Sequence, residues 1–251
     1  TNFLAATNTK VATYVMLLFL LSALQPGFLA EVPTLHLLLY PFAILAMFAA
    51  SYTAILQRDL KRMLAYSSIG QVGYMLLGVA LLSKSGLMAT MIHLFNHGIT
   101  KAALFMGVGV YVLNGGGSFY HNLRGRGKTM PWTSAAVVVA GLSLIGVPGT
   151  AGFLSKWLLV DATLEQGLWP IALLIVASSL LAVIYVWKLI ETLYLAQPAE
   201  GLQDQNVPLM MMIPLWVMAL ACIYFGFDTD ITLSAARSAA EGLLAGSAGM
   251  R

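Results

Sequence analysis

Three ionisable side chains recur at intervals of four residues in the apolar segment 87–113. They are His93, His97 and Lys101, and Asn96 lies beside them in the sequence. Residues four apart lie on one face of an α-helix, so the spacing predicts a stripe of protonatable groups along about 12 Å of helix axis, at about 1.5 Å per residue. With water between its members, such a stripe is suited to the transfer of protons.

Other chemistry at these residues stays open. Two histidines four apart can chelate a metal ion, but the nearby sequence offers no carboxylate or third ligand. A haem would need histidines on facing helices, and His36, at the edge of a predicted span, is a poor partner. The remaining interpretation is that the histidines are hydrogen-bonded core residues. We predict no metal site and no bound cofactor.

Another candidate, Lys156, follows a cluster of helix-breaking residues in the apolar segment 131–165. As one helix this segment would reach roughly 50 Å, whereas the hydrocarbon core of a bilayer is about 30 Å thick. The cluster consists of Gly146, Pro148, Gly149 and Gly152. Proline removes a backbone donor and glycine permits irregular dihedrals. The pattern predicts a helix broken at mid-membrane, with Lys156 about two turns beyond the break; the alternative is a kink followed by a lysine that extends to the surface.

Lys10 is a third candidate, roughly two turns inside the first apolar segment, 3–24. A charge at membrane depth costs roughly 2.5–3.5 kcal/mol even on the lenient insertion scale, so ionisable residues there indicate function. Burial away from water favours the uncharged amine, which lets a lysine take up and release protons. The alternative for Lys10 is an interfacial position, with its ammonium group at the cytoplasmic surface.

Polar residues elsewhere have structural interpretations. Ser67, Ser68 and Gln71 are expected to form hydrogen bonds between helices. Lys188 and Glu191, three residues apart near the end of an apolar segment, are expected to form an ion pair or to anchor the helix at the membrane interface.

The composition places these residues in a membrane protein. Of 251 residues, 9% are charged and the mean hydropathy is +0.84, whereas soluble domains carry about 25% charged residues. The apolar runs fit helices rather than barrel strands. The single cysteine, Cys222, excludes a disulfide framework and a CxxC metal or iron–sulfur site. No motif indicates nucleotide binding or hydrolysis. The net charge of +3 indicates no nucleic-acid partner, because the basic residues lie in the connections between spans.

We predict about seven spans in residues 1–226 and an amphipathic surface helix in the tail 227–251. The spans are 3–24, 35–56, 63–82, 87–113, the broken 131–165, 168–195 and 209–225. Lysine and arginine concentrate in the second and fourth connections, so even-numbered connections are expected on the cytoplasmic side. The chain starts at Thr1, without Met and already within an apolar pattern, which predicts a fragment or a processed product.

Several stretches resemble the antiporter-like proton-channel subunits of respiratory complex I, membrane-bound hydrogenases and Mrp-type multisubunit cation/proton antiporters. They are QRDLKRMLAYSSIGQVGYMLLG at 57–78, HLFNHGITKAALF at 93–105 and GVPGTAGFLSKWLL at 146–159. LAATNTKVATYVMLLF at 4–19 resembles the family's eighth core helix. The lysine on the broken helix and the HxxNHxxTK pattern are most similar to the Mrp-type D subunit and its complex I relatives.

This resemblance implies an all-α membrane protein that supplies family helices eight to fourteen. These comprise the second five-helix inverted repeat, which includes one discontinuous helix, and a flanking helix on each side. Lys10 matches the lysine of helix eight by position, the stripe His93, His97 and Lys101 matches helix eleven, and Lys156 matches the ionisable residue of broken helix twelve. The family's first repeat is absent from the chain, and Gln71 stands where several relatives have histidine.

The function implied is proton translocation, with cation/proton antiport as a variant, through a relay of lysines, histidines and water. The chain would be a multi-pass subunit in the cytoplasmic (inner) membrane. Its partners would be other membrane subunits of a complex I-like or antiporter assembly, lipid, protons, and Na⁺ or K⁺ as a second ion. One alternative is a structural membrane-arm subunit of an NADH:quinone oxidoreductase or a hydrogenase, and another is a quinone- or haem-binding module. The sequence has no redox or hydrolytic site of its own, so an enzyme class would come only from such a complex.

Overall fold

The computed structural model describes residues 11–16, 18–19, 33–115, 117–197 and 207–248. Lys10 lies outside the described residues. Within the described part the regular structure is helical, and the only β-type pairing there is an isolated bridge between Asp59 and Phe119. The predicted all-α class is confirmed.

Ten α-helices with defined bounds follow one another in the described ranges after residue 32. They are α1 (Pro33–Leu56), α2 (Leu60–Ala80), α3 (Lys84–Leu113), α4 (Tyr120–Leu123), α5 (Arg126–Thr129), α6 (Pro131–Ile145), α7 (Ala151–Glu165), α8 (Trp169–Ile190), α9 (Leu209–Phe227) and α10 (Asp230–Ala248). A π-helical turn, Glu191–Leu195, extends α8. Residues 11–16 are also helical.

Four described helices are long and apolar enough to cross a membrane by themselves: Leu37–Leu56, Leu60–Ala80, Trp169–Leu195 and Leu209–Phe227. A fifth is added if 120–129 and 131–145, which meet at 114°, count as one span. Helix α3 has 30 residues but carries the polar stripe, which lowers its hydropathy. The halves α6 and α7 have 15 residues each, and most of predicted span 3–24 lies outside the described residues.

Large apolar side chains point outward from the bundle. Phe42, Trp132 and Trp157 are each more than half exposed. In water such a surface would be unfavourable, whereas in a bilayer the lipid tails are as apolar as the side chains that face them. The exposed surface therefore fits a multi-pass membrane protein, as the composition predicts.

Connections between helices alternate between two ends of the bundle. At one end Ser118 Oγ donates to Asp59 Oδ2 over 3.0 Å, and Gly125 N donates to Thr192 O over 3.0 Å. At the other end Gln166 Nε2 donates to Leu81 O over 2.8 Å. The second and fourth connections and the end of the π-helical turn after α8 thus share one end, as alternating spans require; the cytoplasmic location of this end stays a prediction.

Local sequence explains where α2 and α3 begin. Asp59 caps α2 by accepting hydrogen bonds from Lys61 N and Arg62 N over 2.7 and 3.3 Å. Ser83 Oγ accepts from Gly86 N over 3.1 Å at the start of α3. Both residues have extended backbone dihedrals and belong to the types that satisfy the free N–H groups of a first helical turn.

The predicted break divides the segment 131–165 into α6 and α7. Gly146, with φ of +90°, ends α6, and Gly149 has φ of +83°, a left-handed conformation that glycine adopts without a steric penalty. Gly152 lies so close to α6 that a Cβ there would collide with the carbonyl oxygen of Ser143. The halves therefore depend on glycine at this crossing.

Helix α3 lies at the centre of the bundle and contacts α2, α6, α7, α9 and α10. Helix α10 packs on it with Ala236 and Ala240 buried, and Glu241 pairs with Lys84 over 2.6 Å. The described part of the tail is helical over Asp230–Ala248, and its position at a membrane surface stays a prediction. The central position of α3 surrounds its polar stripe with protein.

Candidate functional site

Lys101 is fully buried between α3 and α2. Its Nζ donates hydrogen bonds to the carbonyl oxygen of Leu64 over 2.7 Å and to Ser67 Oγ over 2.5 Å. An amine at this depth requires such oxygen partners, because it has lost its water shell. The Lys101 end of the stripe therefore faces the interior of the bundle, and α2 supplies the oxygens that accept its hydrogen bonds.

The rings of His93 and His97 are also buried and stack with their centroids 6.1 Å apart. His93 Nδ1 is 2.8 Å from Ser155 Oγ of α7. The ring of Tyr74, from α2, lies 5.6 Å from that of His93. The predicted stripe thus contacts α7 through His93 and α2 through Lys101.

Two neutral residues of α3 bind the broken helix. Asn96 Nδ2 donates to the carbonyl oxygen of Ala151 over 2.6 Å, and the hydroxyls of Thr100 and Ser143 are 2.9 Å apart. Irregular backbone at membrane depth persists only where it is buried in protein or lines a wet cavity. These contacts supply that protection and hold the break against the middle of α3.

Lys156 extends from α7 back to the end of α6. Its Nζ donates to the carbonyl oxygens of Ile145 and Leu144 over 2.7 and 3.2 Å, and it lies 5.0 Å from the centre of the Tyr74 ring. The side chain is 7% exposed. The alternative of a lysine reaching the membrane surface is therefore wrong, because the ammonium group turns towards the break.

A small cavity joins the stripe to the broken helix. Its volume is about 10 Å³, and its lining includes Gln71, His93, His97, Thr100, Ser155 and Lys156. That is about the space that one water molecule needs. Lys101 is not one of the lining residues. It follows the lining residue Thr100 on α3, and its partner Ser67 is one turn from the lining residue Gln71 on α2. Three of the five predicted residues thus meet at one space, and Lys101 is adjacent.

The site contains basic and neutral groups. In the part of the chain that the structure describes, the one ion pair is Lys84–Glu241, and no group of three His, Cys, Asp or Glu side chains could hold a metal ion. Buried cations in membranes pair with acids or with carbonyl oxygens. The oxygen partners of Lys101 and Lys156 here include backbone carbonyls and one serine hydroxyl.

Some site residues were not identified from the sequence as functional. Ser67 was expected only to join helices, yet it contacts Lys101; Tyr74 and Ser155 were not singled out at all. Ser67, Gln71 and Tyr74 follow one another at intervals of four and three on α2, a polar face that was itself a signal. Nothing comparable in the sequence pointed to Ser155.

Lys188 does not pair with Glu191. Its Nζ donates to the carbonyl oxygens of Ile55 and Gln57 over 3.0 and 2.8 Å and lies 4.8 Å from the centre of the Tyr120 ring. Of the two interpretations, the ion pair is wrong, because the ammonium group binds carbonyl oxygens at the end of α1 instead; the anchor at the membrane interface stays a prediction. Lys188 thus joins α8 to α1.

Comparison with known proteins finds a matching family model and a curated relative. Residues 1–182 match the family model described as NADH:quinone oxidoreductase/Mrp antiporter, transmembrane. The chain is 36% identical over 248 residues to NADH-quinone oxidoreductase subunit N of Desulforudis audaxviator, covering 92% of this chain and 48% of that protein. The chain thus spans about half the length of this curated relative.

Solved structures contain the same fold. A chain of the membrane-bound sulfane sulfur reductase, an archaeal respiratory membrane complex, superposes with a TM-score of 0.83 at 30% identity, covering 97% of this chain and 49% of that one. A chain of the Mrp complex from Dietzia superposes with a TM-score of 0.81 over 94% of this chain and 51% of that one; at 23% identity it shows the fold alone. The family and fold inferred from the sequence motifs are confirmed.

Proposed function

The chain belongs to the NADH:quinone oxidoreductase/Mrp antiporter family, and from this premise we propose that it translocates protons within a membrane subunit of that kind. The relay we propose consists of Lys156, His97 and Lys101, with His93 assisting and Lys10 continuing it. The observation that carries the proposal is the cavity shared by His93, His97 and Lys156, which has room for about one water. Water there connects bases on two helices.

The geometry supports a sequence of short transfers. The ammonium group of Lys156 donates a proton to water in the cavity, and the water donates one to an unprotonated imidazole nitrogen of His97 or His93. The protonated His97 then gives up a proton from its ring to Lys101, one helical turn away on α3, when the Lys101 amine is neutral. Histidine suits the middle position because it gains and loses a proton near neutral pH.

We further propose that the subunit works in a multisubunit complex of the cytoplasmic membrane. The relative from Desulforudis is named as a subunit of an NADH-quinone oxidoreductase, and the superposed chains come from a respiratory membrane complex and an Mrp complex. The apolar outer faces of the described helices suit contact with lipid or with other membrane subunits. Na⁺ or K⁺ is the candidate for a second transported ion.

A structural role is the second candidate function. Lys101 joins α3 to α2 and His93 contacts α7, so the same polar contacts also hold the helices together. In this case the polar residues would serve packing, and translocation would occur in other subunits. The two functions differ in what happens when a lysine is replaced by an apolar side chain of similar length.

Lys101→Met and Lys156→Met test the proposal in the intact complex, reconstituted in vesicles. We expect each variant to assemble normally and to lose proton flux by about a hundredfold, the scale of a missing proton-transfer group. Lys84→Met is the matched control, because the Lys84 side chain is 47% exposed at a helix end. Wild-type flux in both buried variants, or flux falling only as assembly fails, would favour the structural role.

A further inference from the structure

The carbonyl oxygens at the end of α6 fall into two groups. Those of Leu142 and Ser143 accept hydrogen bonds from backbone N–H groups of Gly146 and Val147 over 3.0 to 3.1 Å. Those of Leu144 and Ile145 instead receive the ammonium group of Lys156, over 3.2 and 2.7 Å. The last carbonyls of a helix have no partner within the helix. Here the ammonium group of Lys156 supplies hydrogen bonds to the two carbonyl oxygens that the break leaves without a backbone donor.

These oxygens form a cation site in chemical terms. The C-terminus of a helix carries the negative end of its dipole, and carbonyl oxygens replace the hydration shell of alkali cations in channels. Unwound helix ends coordinate Na⁺ in transporters with broken helices. No carboxylate pairs with Lys156 among the described residues, so carbonyl dipoles balance its charge.

We propose that the carbonyl oxygens of Leu144 and Ile145 form a binding site for Na⁺ or K⁺, which the cation and the protonated Lys156 side chain occupy in alternation. This rests on the proposed function in one respect, namely that Lys156 releases its proton to the relay. One proton leaves the ammonium group and one monovalent cation takes its place, so the charge at the end of α6 is unchanged. Exchange of the two ions then follows from competition for the same oxygens.

The structure has space next to Lys156 into which its neutral amine can move. Lys156 lines the small cavity with His93 and His97, so the neutral amine can turn into it and displace the water there while the cation holds the carbonyl oxygens. Gly146 makes room for the side chain, since a Cβ there would lie 3.1 Å from Lys156 Cδ. The ionisable side chains nearest this region on the packed helices are Tyr74 (α2), His93 and His97 (α3), Tyr185 (α8) and Cys222 (α9). The acids of α7, Asp161 and Glu165, are exposed.

Equilibrium binding of radiolabelled Na⁺, and separately of radiolabelled Rb⁺ in place of K⁺, tests the site in the purified complex. Lys156→Met empties the oxygens, whereas Lys156→Arg keeps a permanent positive charge beside them. In the wild type we expect affinity to rise by up to about tenfold per pH unit, as when one proton is released per cation bound. In Lys156→Met we expect cation binding that does not depend on pH. In Lys156→Arg we expect one cation site fewer per chain than in the wild type.

Lys128→Met is the control and keeps the pH dependence of the wild type, because Lys128 is an exposed residue of α5 and belongs to neither the relay nor the cation site. The same proteins are assayed for assembly, with the likewise uncharged Lys156→Gln replacing Lys156→Met if that variant does not assemble. Equal binding in Lys156→Met and Lys156→Arg would overturn the cation site, and so would wild-type affinity that is independent of pH. If Lys156→Met loses proton flux but binds no additional cation, the cation site is wrong and the proton relay stands.

Discussion

The ammonium group of Lys101 donates a hydrogen bond to the hydroxyl of Ser67 across the interface between α3 and α2, where both side chains are buried. Ser67 Oγ is in turn 3.0 Å from the carbonyl oxygen of Leu64, which also accepts from Lys101. One turn of α2 thus provides both oxygens for a buried lysine. Lys101 is therefore held in a fixed position beside the cavity.

We expect Ser67→Ala to weaken both stability and proton flux. The change removes an oxygen from a buried ammonium group, at a cost of about 1–3 kcal/mol. Thermal unfolding in detergent and flux in vesicles measure the two effects. Ser68→Ala is the matched control, since Ser68 Oγ also donates to Leu64 O, over 3.0 Å, whereas the hydroxyl that accepts from Lys101 belongs to Ser67. Equal effects of the two changes would show that the Ser67 contact has no particular role.

Gly152→Ala should separate the halves of the broken helix. Its Cβ would collide with the carbonyl oxygen of Ser143, and the backbone can yield only by moving α7 away from α6, at a cost of about 1–3 kcal/mol or more. We expect loss of flux together with lower thermal stability. Gly242→Ala in α10 meets no atom within 4 Å, so it should be neutral or stabilising by up to about 1 kcal/mol. A Gly152→Ala variant as stable as wild type would contradict the close packing.

Tyr74 should act on Lys156 through its ring rather than through its hydroxyl. The ring centre lies 5.0 Å from Lys156 Nζ, and the hydroxyl bonds to Ser178 Oγ over 3.0 Å. Tyr74→Phe retains the aromatic face and should keep most of the flux, whereas Tyr74→Leu loses a cation–π contact of about 0.5–2 kcal/mol. Proton flux, measured for both variants at equal amounts of assembled complex, shows whether the ring or the hydroxyl acts. The opposite order of activities would assign the role to the hydroxyl.

Acid should loosen the contact of α10 with α3. The hydrogen bond and the positive charge of Lys84 lower the pKa of the Glu241 carboxyl below its ordinary value. A lowered pKa in the folded state stabilises at pH values above the ordinary pKa, and that contribution is lost as pH falls through the lowered value. We expect hydrogen exchange of α10 to accelerate over that acidic range and, more modestly, with added salt.

Glu241→Gln provides the comparison for this pH effect. The variant lacks the titrating group, so its α10 should exchange faster than wild type at neutral pH, and the acid-dependent difference should disappear. Wild-type protection at neutral pH would mean that Ala236, Ala240 and their apolar neighbours alone hold the helix.

Much of the architecture could be predicted from the sequence because hydrophobic length and helix-breaking residues act locally. The break at 146–150 follows from glycine and proline within an apolar run that is too long for one span. The common face of His93, His97 and Lys101 follows from helical periodicity, and the alternation of the connections from the number of spans and the positions of basic residues. Each of these needs only neighbouring residues or the thickness of a bilayer.

The partners of the lysines were decided by the tertiary structure alone. Spacing along α7 places Lys156 beyond the break but does not say that its amine returns to the carbonyl oxygens of α6. Likewise the sequence left Lys188 either paired with Glu191 or at the membrane interface, and only the structure shows that it bonds to the end of α1. A long flexible side chain reaches any oxygen within several ångströms, and which oxygens are free depends on how helices distant in sequence end and pack. Periodicity gives the face of a helix, and only packing decides what that face meets.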